Sequence, residues 1–145
     1  MAFFDEKTGG LITHWKTVAG ITALVGTGTA AKIWPHLANE GTVPPYICYI
    51  RADGRPFIHL GGRTGARLTV IHIYSYGTTL AEADQLSEAV KVNTEPMRGT
   101  YSGTIVNRVE VETIDDGFEL RQQGSDQKDF WVRLVVRMVH SESTS

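Results

Sequence analysis

Cysteine is almost absent from the 145 residues: Cys48 stands alone. A disulfide framework is thereby excluded, and a solitary thiol fits a reducing compartment. Long hydrophobic runs are missing too. The longest nearly apolar stretch, residues 68–76, is interrupted by Thr69, His72 and Ser75, well short of the ~20 apolar residues a membrane-spanning helix needs. Met1-Ala2-Phe3-Phe4-Asp5-Glu6-Lys7 holds no basic segment followed by an apolar core, so no secretory signal is expected and the chain should act where it is made. Nor does one sign of charge prevail. Fourteen Lys+Arg stand against 16 Asp+Glu, a formal net charge of -2, which argues against a sequence-independent grip on nucleic acid. What is present, 41% hydrophobic residues, is the composition of one soluble domain spanning 1–145. A chain of this length buries roughly two-thirds of its unfolded surface without disulfides or metal as staples.

Periodicity gives the element order. Leu11, Ile12, Trp15, Val18 and Ala19 recur at helical spacing, which predicts a helix over 10–19 ended by Gly20. Residues 21–25 form a short second helix or turn, and 31–34 a short extended run that Pro35 stops. A loop over 36–45 closes at Pro44-Pro45. Residues 46–51 (YICYIR) are rich in aromatic and β-branched types and predict a strand. A longer strand follows over 66–76; its apolar residues fall on both parities, as in a strand covered on both sides. Thr79-Leu80-Ala81-Glu82 is a capping-box pattern that opens a helix to about Val92, burying Leu80, Ala83, Leu86, Val90 and Ala89. Residues 104–114 alternate, with Ile105, Val109 and Val111 facing one way and Arg108, Glu110 and Glu112 the other. A polar loop spans 115–129. The last strand, 130–139, puts Phe130, Val132, Leu134, Val136 and Met138 on one face and Arg133 and Arg137 on the other; 140–145 should fray. The order α-β-β-β-α-β-β has strands in runs, not strict βα alternation. It predicts an α+β fold: a mostly antiparallel central sheet with helices packed against it.

Candidate chemistry is thin. Gly26-Thr27-Gly28-Thr29-Ala30-Ala31 matches the G-x-G-x-x-A form of the dinucleotide fingerprint, and Asp53 ends the next apolar run. That motif needs a strand before it and a long helix after it to aim backbone amides at a pyrophosphate. Pro35 leaves room for about five helical residues at most, so a plain turn is the better reading. A phosphate-binding loop fails because Ala31 stands where glycine must precede Lys32. His14, His36, His59, His72 and His140 show no ligand spacing among themselves or with Cys48, so no metal is expected, and His72 reads as a hydrogen-bonded core residue. Asp115-Asp116 before Gly117 reads as a solvated turn, and Cys48 as a buried strand residue. No catalytic constellation remains, and the expectation is a protein that is no enzyme and carries no cofactor.

One stretch stands out. Residues 51–67 hold Arg51, Arg55, Arg63 and Arg67 against Asp53 alone, with Phe57, Ile58 and Leu60 between two sets of turn residues. This basic, partly apolar excursion is either folded on its own sheet or a long hairpin arm presented to another subunit. On the second reading Arg55, Phe57, Ile58, His59, Leu60 and Arg63 are the candidate oligomer-interface residues.

Lys32-Ile33-Trp34-Pro35, then Val43-Pro44-Pro45-Tyr46-Ile47-Cys48-Tyr49, then Ala66-Arg67-Leu68-Thr69-Val70 leading through Tyr74 into Ala81-Glu82-Ala83, resemble the tail completion or tail terminator proteins of long-tailed bacteriophages, prophages and gene transfer agents. The resemblance covers residues 10–139 in matching element order; residues 3–10 depart from it in being longer and more polar. It implies a structural virion protein assembled in the host cytoplasm. Family members form a ring, typically hexameric, that caps the head-proximal end of the tail tube. The ring stops tube polymerisation and meets head-side stopper or connector proteins, while DNA passes the lumen without specific binding. The family has no catalytic residues to carry over. A head-tail connector or tail-tube subunit, and a small nucleotide-binding domain using Gly26 to Ala31, remain the alternatives.

Overall fold

The computed structural model describes residues 10–26, 31–35, 42–59, 62–101, 104–120 and 127–142; side chains within 52–66 also lie outside this description. The fold is mixed α+β. Its elements are α1 (Gly10–Trp15), α2 (Ala19–Val25), β1 (Ile33–Pro35), β2 (Tyr46–His59), β3 (Gly62–Gly77), α3 (Leu80–Thr94), β4 (Gly99–Tyr101), β5 (Thr104–Leu120) and β6 (Lys128–Glu142). The strands form one six-stranded sheet in the order β1-β2-β3-β6-β5-β4. Only the β1–β2 pair is parallel; the others are antiparallel.

The helices cover one face. Leu11, Ile12 and Trp15 of α1, Ile21 and Val25 of α2, and Leu86 and Val90 of α3 share a core with Ile47, Tyr49, Ile71, Ile73, Val109, Val111, Leu134, Val136 and Met138. Of the expected face of β6, Val132, Leu134, Val136 and Met138 are buried and Phe130 is half-buried. In β3 only alternate residues are fully buried: Thr69, Ile71, Ile73 and Ser75, while Leu68, Val70, His72, Tyr74 and Tyr76 are half-buried. The expectation of a strand equally covered on both sides is corrected, and His72 is not a core residue. It stands between Ile50 and Val135 on the second face.

The helix expected over 10–19 stops at Trp15, and the short second helix expected over 21–25 begins earlier, at Ala19. After Trp15 the chain tightens: the amide of Thr17 donates to the carbonyl of His14 at 3.0 Å, and the Thr17 hydroxyl donates to the same oxygen at 2.7 Å. A threonine that satisfies its own turn competes with the helical ladder. Val18 is then extended, at φ -92 and ψ 115, and starts α2, so Gly20 lies inside α2 instead of ending α1.

The capping box forms as expected. The Thr79 hydroxyl accepts from the Glu82 amide at 3.1 Å, and Glu82 Oε1 accepts from the amide of Thr78 at 2.9 Å. Leu80, one turn short of the core, is 40% exposed and not buried as expected. In β5 a bulge at Asn107 breaks the simple alternation: Val106 pairs with His140 and Arg108 with Val139. One extra residue flips the parity, so Val106 is buried and Ile105 half-buried. Short strand β4 went unanticipated, as its three residues offer no period.

Within the polar loop expected over 115–129, residues 115–120 and 128–129 are strand. Asp115 pairs with Arg133, Asp116 with Val132, Gly117 with Trp131, Phe118 with Phe130 and Leu120 with Lys128. Cross-strand partners outweigh the acidic composition here. Gly117 is no turn residue: a Cβ there would come within 2.6 Å of the Trp131 indole, which lies across the strand. At the other end β6 continues through Glu142, and His140 is buried with its Nε2 at 2.7 Å from the Thr69 hydroxyl. Residues 140–142 are therefore not frayed.

Candidate assembly surface

At opposite ends of the sheet, one strand pair runs on beyond its neighbour. β2 and β3 stay paired as far as His59 opposite Gly62, whereas β6 accompanies β3 only from Arg67, opposite His140. Among the described residues the β2–β3 hairpin is therefore two-stranded beyond Arg67. This is where the candidate interface residues fall. Arg55, Phe57, Ile58 and His59 belong to the backbone of β2 and Arg63 to that of β3, while Leu60 and all these side chains lie outside the described residues.

At the other end β5 and β6 stay paired as far as Leu120 opposite Lys128, two pairs beyond Phe130, which faces Gly77. From Glu112 to Leu120 every residue is exposed except half-buried Gly117. Ile114 (40%), Phe118 (56%) and Leu120 (51%) are among the most exposed large apolar residues described. The Phe118 ring lies 6.1 Å from that of Phe130, and Lys128 Nζ sits 4.7 Å from its centroid. Phe118 and Leu120 alternate with the acids Asp116 and Glu119, and this composition resembles a surface turn. Its one available signal was Phe-x-Leu after Gly117, with the period of a strand.

The sheet face away from the helices is aromatic and charge-paired. Tyr46 stacks on Tyr76 at 4.5 Å, and Tyr74 meets Trp131 edge-on at 5.6 Å. Asp115 takes two hydrogen bonds from Arg133, at 2.7 and 2.9 Å, and these hold the guanidinium even more firmly in its charged form. Arg137 donates to Glu112 at 3.3 Å and Arg108 to Glu110. Each of these arginines thus has a carboxylate of its own beside it, so phosphate would have to displace one. Such exposed pairs add little stability.

Burial raises the pKa of the Tyr76 hydroxyl far above the usual phenol value, with the Glu119 carboxylate pushing the same way. The fold therefore favours the neutral phenol. That contribution is complete below the unfolded pKa of about 10 and is lost as pH climbs past it. Absorbance titration at 295 nm should find this phenol un-ionised until the chain unfolds. In Tyr76→Phe the fall of stability above pH ~10 should be shallower by one proton; an unchanged slope would refute the assignment.

The candidates for chemistry are not gathered. Cys48 is buried in β2, as expected. Asp115 and Asp116 point to opposite sides of β5, one towards Arg133 and the other opposite Val132. Among the described residues, no three His, Cys, Asp or Glu side chains form a group able to hold a metal. Helix α2, not a strand, leads into Gly26, whose φ of 96 ends it. The dinucleotide fingerprint therefore lacks its leading strand; residues 27–30 lie outside the described residues. No described helix is long and apolar enough to cross a membrane.

No protein-family model matches the chain, and no curated protein matches it. Among solved structures, the chain is similar to a chain of the virion of a native gene transfer agent particle. The likeness has a TM-score of 0.58 and 14% identity, over 90% of this chain and 92% of that one. The two share a fold across nearly their whole lengths.

Proposed function

We propose that this chain is a structural subunit of a phage-like virion. In this reading, copies form a ring, typically of six, that caps the head-proximal end of the tail tube, ends its polymerisation and joins it to a head-side stopper or connector protein. The observation that carries the reading is the fold shared with a gene transfer agent virion chain over 90% of the sequence, in company with the motif run from Lys32 to Ala83. The chain acts without catalysis or cofactor, and assembly takes place in the host cytoplasm. The charge-paired arginines of the open sheet face agree with a lumen that lets DNA slide past. The β2–β3 hairpin end, with Arg55, Phe57, Ile58, His59, Leu60 and Arg63, is an arm laid against the next subunit.

Particles made without a working copy test this. Electron microscopy should show headless tails of irregular length, and the wild-type gene in trans should restore them. Phe57→Ala combined with Ile58→Ala should give the same headless tails from a chain that still folds. Headless tails of normal length would reassign the chain to the connector, and normal particles would refute both readings.

A further inference from the structure

We draw no further inference here: the strongest candidate, the exposed apolar patch of Phe118 and Leu120 at the outer end of the β5–β6 pair, carries none because nothing in the structure shows what covers it.

Discussion

Trp15→Ala should lower stability by about 3–5 kcal/mol, the range for truncating a fully buried large aromatic, and the melting temperature by roughly 10–15 °C. The reason lies in how little else holds α1. A six-residue helix has no stability of its own, so α1 exists because Leu11, Ile12 and Trp15 are wholly buried. Trp15 does the most, meeting Tyr49 edge-on at 6.1 Å and donating from its indole nitrogen to the Thr94 hydroxyl at 2.9 Å. One side chain thereby ties α1 to the sheet and to the last turn of α3, 79 residues away. His14 adds a second tie, with Nε2 at 2.8 Å from the Asn93 carbonyl. Trp15→Phe keeps most of the area and loses the hydrogen bond, so about 1–2 kcal/mol is expected. Thr13→Ala, on the exposed side, should change stability by less than about 0.5 kcal/mol. Chemical denaturation of the three variants checks the order; equal losses for Trp15→Ala and Thr13→Ala would refute this account of α1.

Elements with a strong period were legible. The inward face of β6, the strand at Tyr46 and the capped helix α3 all follow from spacing and capping chemistry, because each residue choice there answers to one buried face. The errors have two causes. Bulges shift parity without leaving a mark in composition, as at Asn107, where Val106 and Ile105 exchange roles. Charged residues also look like loop unless their cross-strand partner is known. Asp115 becomes a strand residue only when Arg133 stands opposite, and Gly117 only when the Trp131 ring lies over it. Both partners are more than a dozen residues away, where a local reading cannot find them.

The basic segment 51–67 is conspicuous in the sequence because arginine and turn residues cluster there in a nearly neutral chain. The exposed Phe118 and Leu120 are not, since two apolar residues among acids resemble any surface turn. Only the strand pairing puts them at the end of a ribbon away from the core. The fold shared with a gene transfer agent virion chain runs over 90% of this sequence.

A single methyl group at Gly77 should be as damaging as the loss of a core side chain. Gly77 ends β3, paired with Phe130, two residues before the Thr79 cap of α3. A Cβ there would lie 2.5 Å from the backbone nitrogen of Ala83 and 2.9 Å from the backbone carbon of Glu82. Both are main-chain atoms in the first turn of α3, so no rotamer change relieves the overlap. The turn must lift, and Ala83 and Leu86, both fully buried, must lift with it. Overpacking of this kind costs about 3 kcal/mol or more when the backbone cannot yield, a fall of roughly 10 °C in melting temperature. Gly20→Ala is the matched control. Its Cβ would meet only the Ala89 methyl at 3.8 Å, an ordinary contact, inside a helix. Alanine there should raise stability by about 0.5–1 kcal/mol through reduced backbone entropy in the unfolded chain. The same substitution at two glycines therefore has opposite expected signs, set by what lies 2.5 or 3.8 Å away. Thermal melts of both variants decide it: a Gly77→Ala chain as stable as wild type would mean that the close approach of β3 to α3 is wrong.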